Sequence, residues 1–378
     1  MPHASVPAQT LAPVPDPALT PASASPSGAT PTPAPDTVPI PAHVRVPAAV
    51  PPLGTDPDSF LWKGPFGSLY LGGGSPSSLD AEGIRGVFAA IRRFPLASCA
   101  EVTLEANPQD VTEEMLGLWR ELGVGRVSLG VQSLDPAGLK GPLGRLHGPD
   151  EAREAARRVL ASGAALSVDL IYGWSGQTLE AWERDLKEAA DMGAAHVSAY
   201  CLTPAAGTPL AESLASGELA PLPDEGLLAE MFGAGAAILG GAGLLRYEVS
   251  NFAVPGSECL HNLGYWRRAP YLGLGPSAHS FDGRFRRGNL ASLSGWSEAL
   301  AEGRSPCAFT EEIGSDEERL ETIMLGLRLA EGLETSWLDG SPALEGLVRE
   351  GLLRRGGGRI VPTERGLLVA DWLARTLA

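Results

Sequence analysis

The stretch SLYLGGGSP, from Ser68 to Pro76, joins a short apolar run to three consecutive glycines. The apolar residues suit a buried strand, and glycines suit a turn in which a ligand approaches the backbone without meeting a Cβ. Successive N–H groups in such a turn can face a polar group. We therefore interpret Gly72, Gly73, Gly74 and Ser75 as a binding loop at the end of a strand.

Further short runs of β-branched and aliphatic residues follow this stretch at regular intervals. The spacing predicts strands over Ser68–Leu71, Glu101–Glu105, Arg126–Val131, Ala165–Leu170, His196–Tyr200 and Arg246–Val249. Between them lie helical patterns such as Thr178–Met192, in which Leu179, Trp182, Leu186 and Ala189 recur at helical spacing. The alternation predicts an α/β fold with a parallel sheet.

Polar residues follow the predicted strands at one end of this sheet, where barrel enzymes build their sites. Any single one could be an ordinary turn residue, but their repetition favours a site. Glu105 and Asp169 could accept hydrogen bonds from ribose hydroxyls or an amino group, and Gln132 adds a neutral hydrogen-bonding group. Arg145 adds a cation suited to a carboxylate. Together they predict a pocket for a nucleoside-like cofactor with an amino-acid end.

The segment 247–280 interleaves aromatic residues with His, Cys and Asn. Its most unusual part is HNLGYW, which contains His261, Asn262, Tyr265 and Trp266. Such a mixture suits a flat apolar ligand with polar edges, such as a porphyrin. An alternative remains open, in which Tyr265 and Trp266 belong to the core and His261 caps a turn.

Composition limits the classes of partner. The 378 residues carry 45 acidic and 29 basic side chains, a formal charge of −16, which disfavours nucleic acid and anionic lipid. Apolar runs are short, and none has the length of a membrane-spanning helix. We expect a soluble, cytoplasmic protein. The four cysteines lie dozens of residues apart and predict neither disulfides nor a compact ligand group.

The chain divides into three parts. Residues 1–67 are rich in Pro and Ala, and we expect them to be disordered. Residues 68–290 form the predicted barrel-like domain. For residues 305–378 the sequence predicts a helical, winged-helix-like domain. Its features are a capping box from Ser315, a hairpin at Gly356–Gly358 and a last helix after Thr363. Because acidic residues outnumber basic ones there, a structural or substrate-covering role is favoured over DNA binding.

The ordered motifs resemble one family, the radical S-adenosylmethionine (SAM) proteins related to oxygen-independent coproporphyrinogen III oxidase, with its heme-chaperone branch HemW. The resemblance covers about four fifths of the chain, from about Leu69. The motifs that carry it are Gly72–Pro76, Leu104–Pro108, Leu129–Ser133, Leu143–His147, Asp169–Gly173, Tyr247–Ala253 and His261–Trp266. The resemblance implies a partial (β/α) barrel, with SAM, a 4Fe-4S cluster and heme as cofactors.

The resemblance also assigns roles to residues. Gly72, Gly73, Gly74 and Ser75 would hold the methionine end of SAM, and Glu105, Gln132, Arg145 and Asp169 match further SAM-contacting positions. Arg145 lies one residue further from Gln132 than in the family pattern, which indicates a small insertion near Gly141. His261, Asn262, Tyr265 and Trp266 match the HNxxYW segment associated with heme, with His261 as the candidate axial ligand.

One family motif is missing. The C-x3-C-x2-C sequence that follows the first barrel strand and holds the cluster does not occur in these 378 residues. Cys99, Cys201 and Cys259 lie on other elements and cannot replace it. We therefore expect no cluster and no radical chemistry. Two explanations stay open: a degenerate paralogue, or a reading-frame error before about residue 60, which we favour because the domain resumes abruptly within a strand.

Three functions follow from these patterns. The first is a heme chaperone that binds heme and delivers it to acceptor proteins, and the HNxxYW segment favours it. The second is an oxidoreductase of the coproporphyrinogen oxidase type, acting on a porphyrin precursor. The third, an aldolase-like barrel enzyme, is disfavoured because no lysine follows a strand and no His/Asp set has metal-ligand spacing. The sequence leaves open whether the chain forms a homodimer.

Overall fold

The computed structural model of this chain describes residues 65–378. Residues 1–64, and with them nearly all of the predicted disordered segment, lie outside the described residues. The last residues of that segment, Phe66 and Gly67, open the first strand, which therefore begins two residues before the predicted Ser68. Within the described range, no helix is both long enough and apolar enough to cross a membrane.

A seven-stranded sheet forms the larger domain. Its strands are β1 (Phe66–Leu71), β2 (Leu96–Ala106), β3 (Arg126–Gln132), β4 (Ala165–Tyr172), β5 (His196–Cys201), β6 (Leu245–Arg246) and β7 (Asn251–Ala253). They lie in the order β1-β2-β3-β4-β5-β7-β6, and neighbours from β1 to β5 are parallel. The first five predicted strands are confirmed.

The sixth predicted strand, Arg246–Val249, is wrong. β6 ends at Arg246, and the chain reverses so that β7 runs antiparallel to β5, with Phe252 opposite Val197. The apolar pattern around Val249 thus belongs to a turn. A second correction concerns Asp169, which was expected at a strand end: β4 continues to Tyr172, so Asp169 lies within the strand.

Seven helices lie between these strands along the chain, and those that cover the sheet bury an apolar face. They are α1 (Ala81–Ile91), α2 (Glu113–Glu121), α3 (Pro136–Lys140), α4 (Pro149–Ala161), α5 (Leu179–Asp191), α6 (Pro209–Ser216) and α7 (Glu225–Gly241). Helix α5 confirms the predicted pattern, since Thr178 caps its first turn and Trp182, Leu186 and Ala189 have no exposed surface. Each buried large side chain contributes roughly 1.5–3 kcal/mol of hydrophobic stabilisation.

The next layer was not predicted. It contains helix α8 (Leu260–Trp266), helix α9 (Leu293–Ala301) and a three-stranded antiparallel sheet of β8 (His279–Phe281), β9 (Phe285–Asn289) and β10 (Cys307–Glu312). The predicted domain limits at residues 290 and 305 fall inside this layer. It lies along the chain between the parallel sheet and the last domain.

The C-terminal elements pack around a second core. They are α10 (Ser315–Gly326), β11 (Leu333–Glu334), α11 (Leu344–Arg349), β12 (Leu353–Gly356), β13 (Arg359–Pro362), α12 (Glu364–Leu368) and α13 (Ala370–Leu377). The predicted hairpin is present as β12 and β13, and Thr363 caps the helix that follows it. Ile323, Leu327, Ile360 and Leu373 are fully buried there.

The predicted start of α10 needs correction. Gly314, not Ser315, occupies the N-cap, and no side chain caps the helix. The acidic residues Asp316, Glu317 and Glu318 instead place negative charge in the first turn, where the helix dipole favours it. On this helix Ile323 is fully buried, whereas Leu320 is 44% exposed.

Candidate functional site

The glycine loop after β1 is held by the carboxylate of Glu105. The Gly73 N–H donates a hydrogen bond to Glu105 Oε2 at 3.1 Å, and Gly73 has a φ of 79°, which favours glycine. A Cβ on Gly72 would lie 2.6 Å from the Glu105 carboxylate. Both positions therefore need glycine, one for its backbone conformation and the other for close approach. Ser75 lies at the edge of the loop, where its Oγ accepts a long hydrogen bond from Asn107 Nδ2.

Glu105 has a second partner on β1. The Tyr70 hydroxyl donates to Glu105 Oε1 at 3.0 Å. Burial raises the pKa of Glu105, while the hydrogen bonds from Gly73 and Tyr70 lower it. Glu105 thus anchors the glycine loop as well as facing the pocket, a role that the sequence did not predict.

Asp169 on β4 is the second carboxylate of the predicted pocket. The Ser128 hydroxyl lies 3.1 Å and 3.0 Å from its two carboxylate oxygens. Burial raises the pKa of Asp169 to about 6, and the negative charge of Glu105 contributes to the increase. The two carboxylates therefore belong to one electrostatic site.

A buried hydrogen-bond chain leads away from Asp169 across the sheet. Ser128 Oγ lies 3.3 Å from Ser167 Oγ, Ser167 Oγ lies 2.8 Å from His196 Nδ1, and His196 Nε2 lies 2.8 Å from the Tyr247 hydroxyl. Burial lowers the pKa of His196 to about 3, so its ring is neutral. These residues were not predicted from the sequence. The signal is the strand register, in which Ser128, Ser167 and His196 are direct neighbours.

Gln132 ends β3 with a strained backbone. Its φ is 66°, unusual for a residue with a side chain, and the β3–β4 register shifts just before it. A Cβ on Gly130 would lie 2.8 Å from Gln132 Nε2, so glycine makes room for this side chain. Strained residues concentrate at functional sites, which agrees with the predicted role of Gln132.

Arg145 lies in the loop between α3 and α4. Its guanidinium forms no hydrogen bond or ion pair within residues 65–378, and its Nε is buried without a partner. Burial lowers the pKa of Arg145. The residue is partly buried, and its buried Nε lacks an acceptor, so an anionic group on a ligand would stabilise the guanidinium.

This donor set fits SAM. The glycine loop offers open backbone, Arg145 offers an unpaired guanidinium for the methionine carboxylate, and Glu105 and Asp169 offer acceptors for amino and hydroxyl groups. A hydrogen bond links Gly73 to Glu105, and Glu105 interacts electrostatically with Asp169, whereas Arg145 shows no contact to these residues.

The cysteines do not fit a 4Fe-4S cluster. Among the described residues, no three His, Cys, Asp or Glu side chains form a group that could hold a metal ion. All four cysteines of the sequence lie in this range and are free. Burial raises the pKa of Cys201 to about 11 and that of Cys259 to about 12, which disfavours the thiolates that iron requires.

Helix α8 is fixed to the sheet at its first residue. Glu101 Oε1 accepts a hydrogen bond from the Leu260 N–H at 3.1 Å, and Glu101 Oε2 pairs with Arg126 Nη2 at 3.0 Å. Arg126 also donates to the Ser257 carbonyl. This buried ion pair holds the segment before α8 against β2 and β3.

His261 faces the barrel from α8. Its ring stacks on Tyr70 with the centroids 4.8 Å apart, and its Nδ1 lies 3.3 Å from the Ser68 hydroxyl. Burial lowers the pKa of His261 to about 4, so the imidazole is neutral at physiological pH. Through Tyr70 and Glu105, His261 is connected to the glycine loop. The two predicted sites are therefore adjacent.

The other predicted heme residues face a different space. Asn262, Tyr265 and Trp266 line a cleft of about 680 Å³, open solvent included, which we call the aromatic cleft. Its remaining walls are Asn251, Arg268, Tyr271, Phe281, Arg286, Glu321, Met324 and Leu325. His261 is absent from these walls, although its ring touches that of Tyr265. The structure thus divides the HNxxYW segment between the barrel and the cleft.

Sequence comparisons relate the chain to known proteins. The profile of the Radical SAM superfamily matches residues 60–189. "Heme chaperone HemW" of Mycobacterium tuberculosis (strain ATCC 25618 / H37Rv) is 40% identical over 314 residues, covering 82% of this chain and 80% of that protein. "Heme chaperone HemW" of Bacillus subtilis is 31% identical over 317 residues, covering 80% and 83%.

A structural comparison supports the same fold. Coproporphyrinogen III oxidase (HemN) from Escherichia coli, described as a radical SAM enzyme, superposes with a TM-score of 0.70. The match covers 82% of this chain and 77% of that one at 20% sequence identity. The parallel sheet β1–β5 is therefore a partial barrel of the radical SAM type.

Proposed function

Because the chain belongs to the family of heme chaperones named HemW, we propose that it binds heme beside α8 and delivers it to acceptor proteins. The observation that carries the proposal is the aromatic cleft, since three of the four HNxxYW residues line it. Tyr265, Trp266, Tyr271 and Phe281 offer a largely apolar wall to a flat ring. Asn262 adds a polar group at the start of that wall.

His261 is the proposed iron ligand. Its neutral imidazole has the lone pair that iron binds, and its place against Tyr70 and Tyr265 puts it at the border between barrel and cleft. Ligation therefore requires heme to reach the barrel side of α8. Met324 lines the cleft itself and is the alternative ligand there.

SAM is the proposed ligand of the strand-end pocket. Gly72, Gly73, Gly74 and Ser75 would bound its methionine end, with Arg145 pairing the carboxylate, and Glu105, Gln132 and Asp169 would accept or donate hydrogen bonds. In radical SAM proteins, SAM bound to a reduced cluster supplies a strong hydrogen-abstracting agent. We derive no reaction for this chain, because its cysteines cannot hold that cluster.

The alternative is an oxidoreductase of the coproporphyrinogen oxidase type. The likeness to HemN concerns the fold, and the arginines of the aromatic cleft could also hold a porphyrin precursor. Incubation with coproporphyrinogen III, SAM and a reductant separates the two functions. We expect no decarboxylated product, and turnover of the precursor would favour the alternative.

Hemin titration of the full chain tests the chaperone proposal. We expect a shifted Soret band at about one heme per chain, weakened in Trp266→Ala and lost in His261→Ala. Trp372→Ala is the control, because Trp372 lies partly exposed on α13 outside the cleft. A wild-type chain that leaves the hemin spectrum unchanged would contradict the proposal. Transfer to apomyoglobin then measures delivery.

A further inference from the structure

We propose that Arg268 and Arg286 bind the carboxylate side chains of a porphyrin in the aromatic cleft. This inference rests on the proposed function, which makes the ligand a porphyrin. It goes further by assigning the acidic edge of the ring to two residues outside the HNxxYW segment.

The first support is an unpaired donor. Arg268 follows α8 closely, and its Nε donates to Glu321 Oε2 at 3.0 Å while its Nη1 pairs with Glu318 at 3.1 Å. Its Nη2 is buried and has no hydrogen-bond partner within the described part of the chain. A buried guanidinium N–H without an acceptor is costly. A ligand carboxylate in the cleft would satisfy it.

The second support is the charge of the inner cleft. Arg286 on β9 has a side chain only 9% exposed, and its Nη2 lies 2.6 Å from Glu321 Oε1. Arg268 and Arg286 therefore share the one buried carboxylate of Glu321. Their other partners, Glu318 and Glu311, are 52% and 41% exposed, so solvent screens them. The least exposed part of this network thus holds two guanidiniums and one carboxylate, and the two further carboxylates lie at its solvent edge.

The third support is the position of these charges relative to the aromatic wall. The guanidinium carbons of Arg268 and Arg286 lie 5.3 Å and 5.6 Å from the centroid of the Phe281 ring. Tyr265 and Tyr271 continue the wall, with ring centroids 4.7 Å apart. Both guanidiniums thus lie against an aromatic ring of the wall, and this combination of apolar surface and cations complements a flat ring that carries acidic groups.

A purely structural role accounts for part of this network. The ion pairs to Glu318 and Glu321 tie α10 to β9 and to the end of α8. That role does not use Arg268 Nη2, and it does not require the arginines to line a cleft. The two roles differ in one measurable respect, since only ligand binding depends on the charge of the ligand.

The test compares iron-free protoporphyrin IX with its dimethyl ester, titrated into the full chain and followed by tryptophan quenching. We expect wild type to bind the free acid at least tenfold more tightly than the ester. In Arg268→Gln the affinity for the acid falls about tenfold, while the affinity for the ester is unchanged. Arg284→Gln is the matched control, because Arg284 pairs with Glu312 on the surface outside the cleft.

Each outcome bears on a different proposal. Equal wild-type affinity for acid and ester overturns the role of the arginines and leaves heme binding intact. A chain that binds neither porphyrin nor hemin contradicts the proposed function itself. The wild-type comparison needs no variant, so it stands even where Arg268→Gln fails to fold, which circular dichroism detects.

Discussion

The strand-end pocket and the aromatic cleft meet at α8 but are built on different physical grounds. The pocket is polar, and each of its carboxylates accepts a hydrogen bond from a neighbouring residue. Glu105 accepts one from the Gly73 N–H, and Asp169 accepts one from the Ser128 hydroxyl. The cleft is aromatic, and Arg268 Nη2 in its wall is a buried donor with no partner among the described residues. In the pocket the guanidinium of Arg145 has no acceptor, whereas in the cleft Arg268 and Arg286 are ion-paired with glutamates and Arg268 Nη2 is left without a partner among the described residues. Each region therefore keeps a cationic donor for an anionic ligand, the pocket at Arg145 and the cleft at Arg268 beside aromatic rings.

The largest expected effect concerns the iron content of the strand-end pocket. Anaerobic reconstitution of the full chain with iron and sulfide should leave iron far below the 4Fe-4S complement, because the cysteines are free and dispersed. Iron and sulfide analysis with visible absorption measures it. A near-stoichiometric 4Fe-4S cluster would overturn the conclusion that the cysteines of this chain cannot hold one.

A smaller effect tests how tightly the pocket is packed. Gly72→Ala places a Cβ 2.6 Å from the Glu105 carboxylate and 2.7 Å from Tyr70. Such overpacking should lower the free energy of unfolding by roughly 1–3 kcal/mol. Gly74→Ala is the matched control, since no heavy atom lies within 4 Å of the point that its Cβ would occupy and the effect should stay within about 0.5 kcal/mol. Chemical denaturation that finds equal effects would refute the close packing.

The smallest effect concerns protonation at the border between the two regions. Burial holds the pKa of His261 near 4, below its ordinary value of 6.5, so between these pH values the unfolded chain binds a proton that the native chain does not. The free energy of unfolding is therefore highest, as far as His261 is concerned, above pH 6.5, and it declines as the pH falls toward 4. His261→Phe keeps an aromatic ring without the proton.

The expected difference is modest because the side chain is partly exposed. Between pH 7 and pH 5, wild type should lose about 1 kcal/mol of unfolding free energy relative to His261→Phe. Denaturant titrations at several pH values measure it. If the unfolding free energies of the two proteins changed with pH in the same way, the His261 ring would be solvated and the border between pocket and cleft would be open to water.

The pocket could be predicted from the sequence because parallel strands end at one edge of a sheet, which places Gly73 and Glu105 together without any knowledge of register. The chain of Ser128, Ser167 and His196 was missed because isolated polar residues within strands carry no signal until the register is known. Of the cleft, the sequence predicted only the residues that lie on α8, which are Asn262, Tyr265 and Trp266. Arg268, Arg286 and Glu321 come from three separate elements, and no local pattern relates them. The assumption of one continuous HNxxYW ligand surface also overlooked that neighbouring helix residues point in different directions.

The hydrogen bond between Ser68 and His261 joins residues 193 positions apart in the chain. Contacts of such long range slow folding because the entropic cost of closing the loop comes before any gain from the contacts. During synthesis, β1 therefore waits for almost two hundred residues before α8 covers Tyr70. The helix between the pocket and the cleft can therefore take its place only after both regions of the chain have been synthesised, so Tyr70 lacks this cover until then.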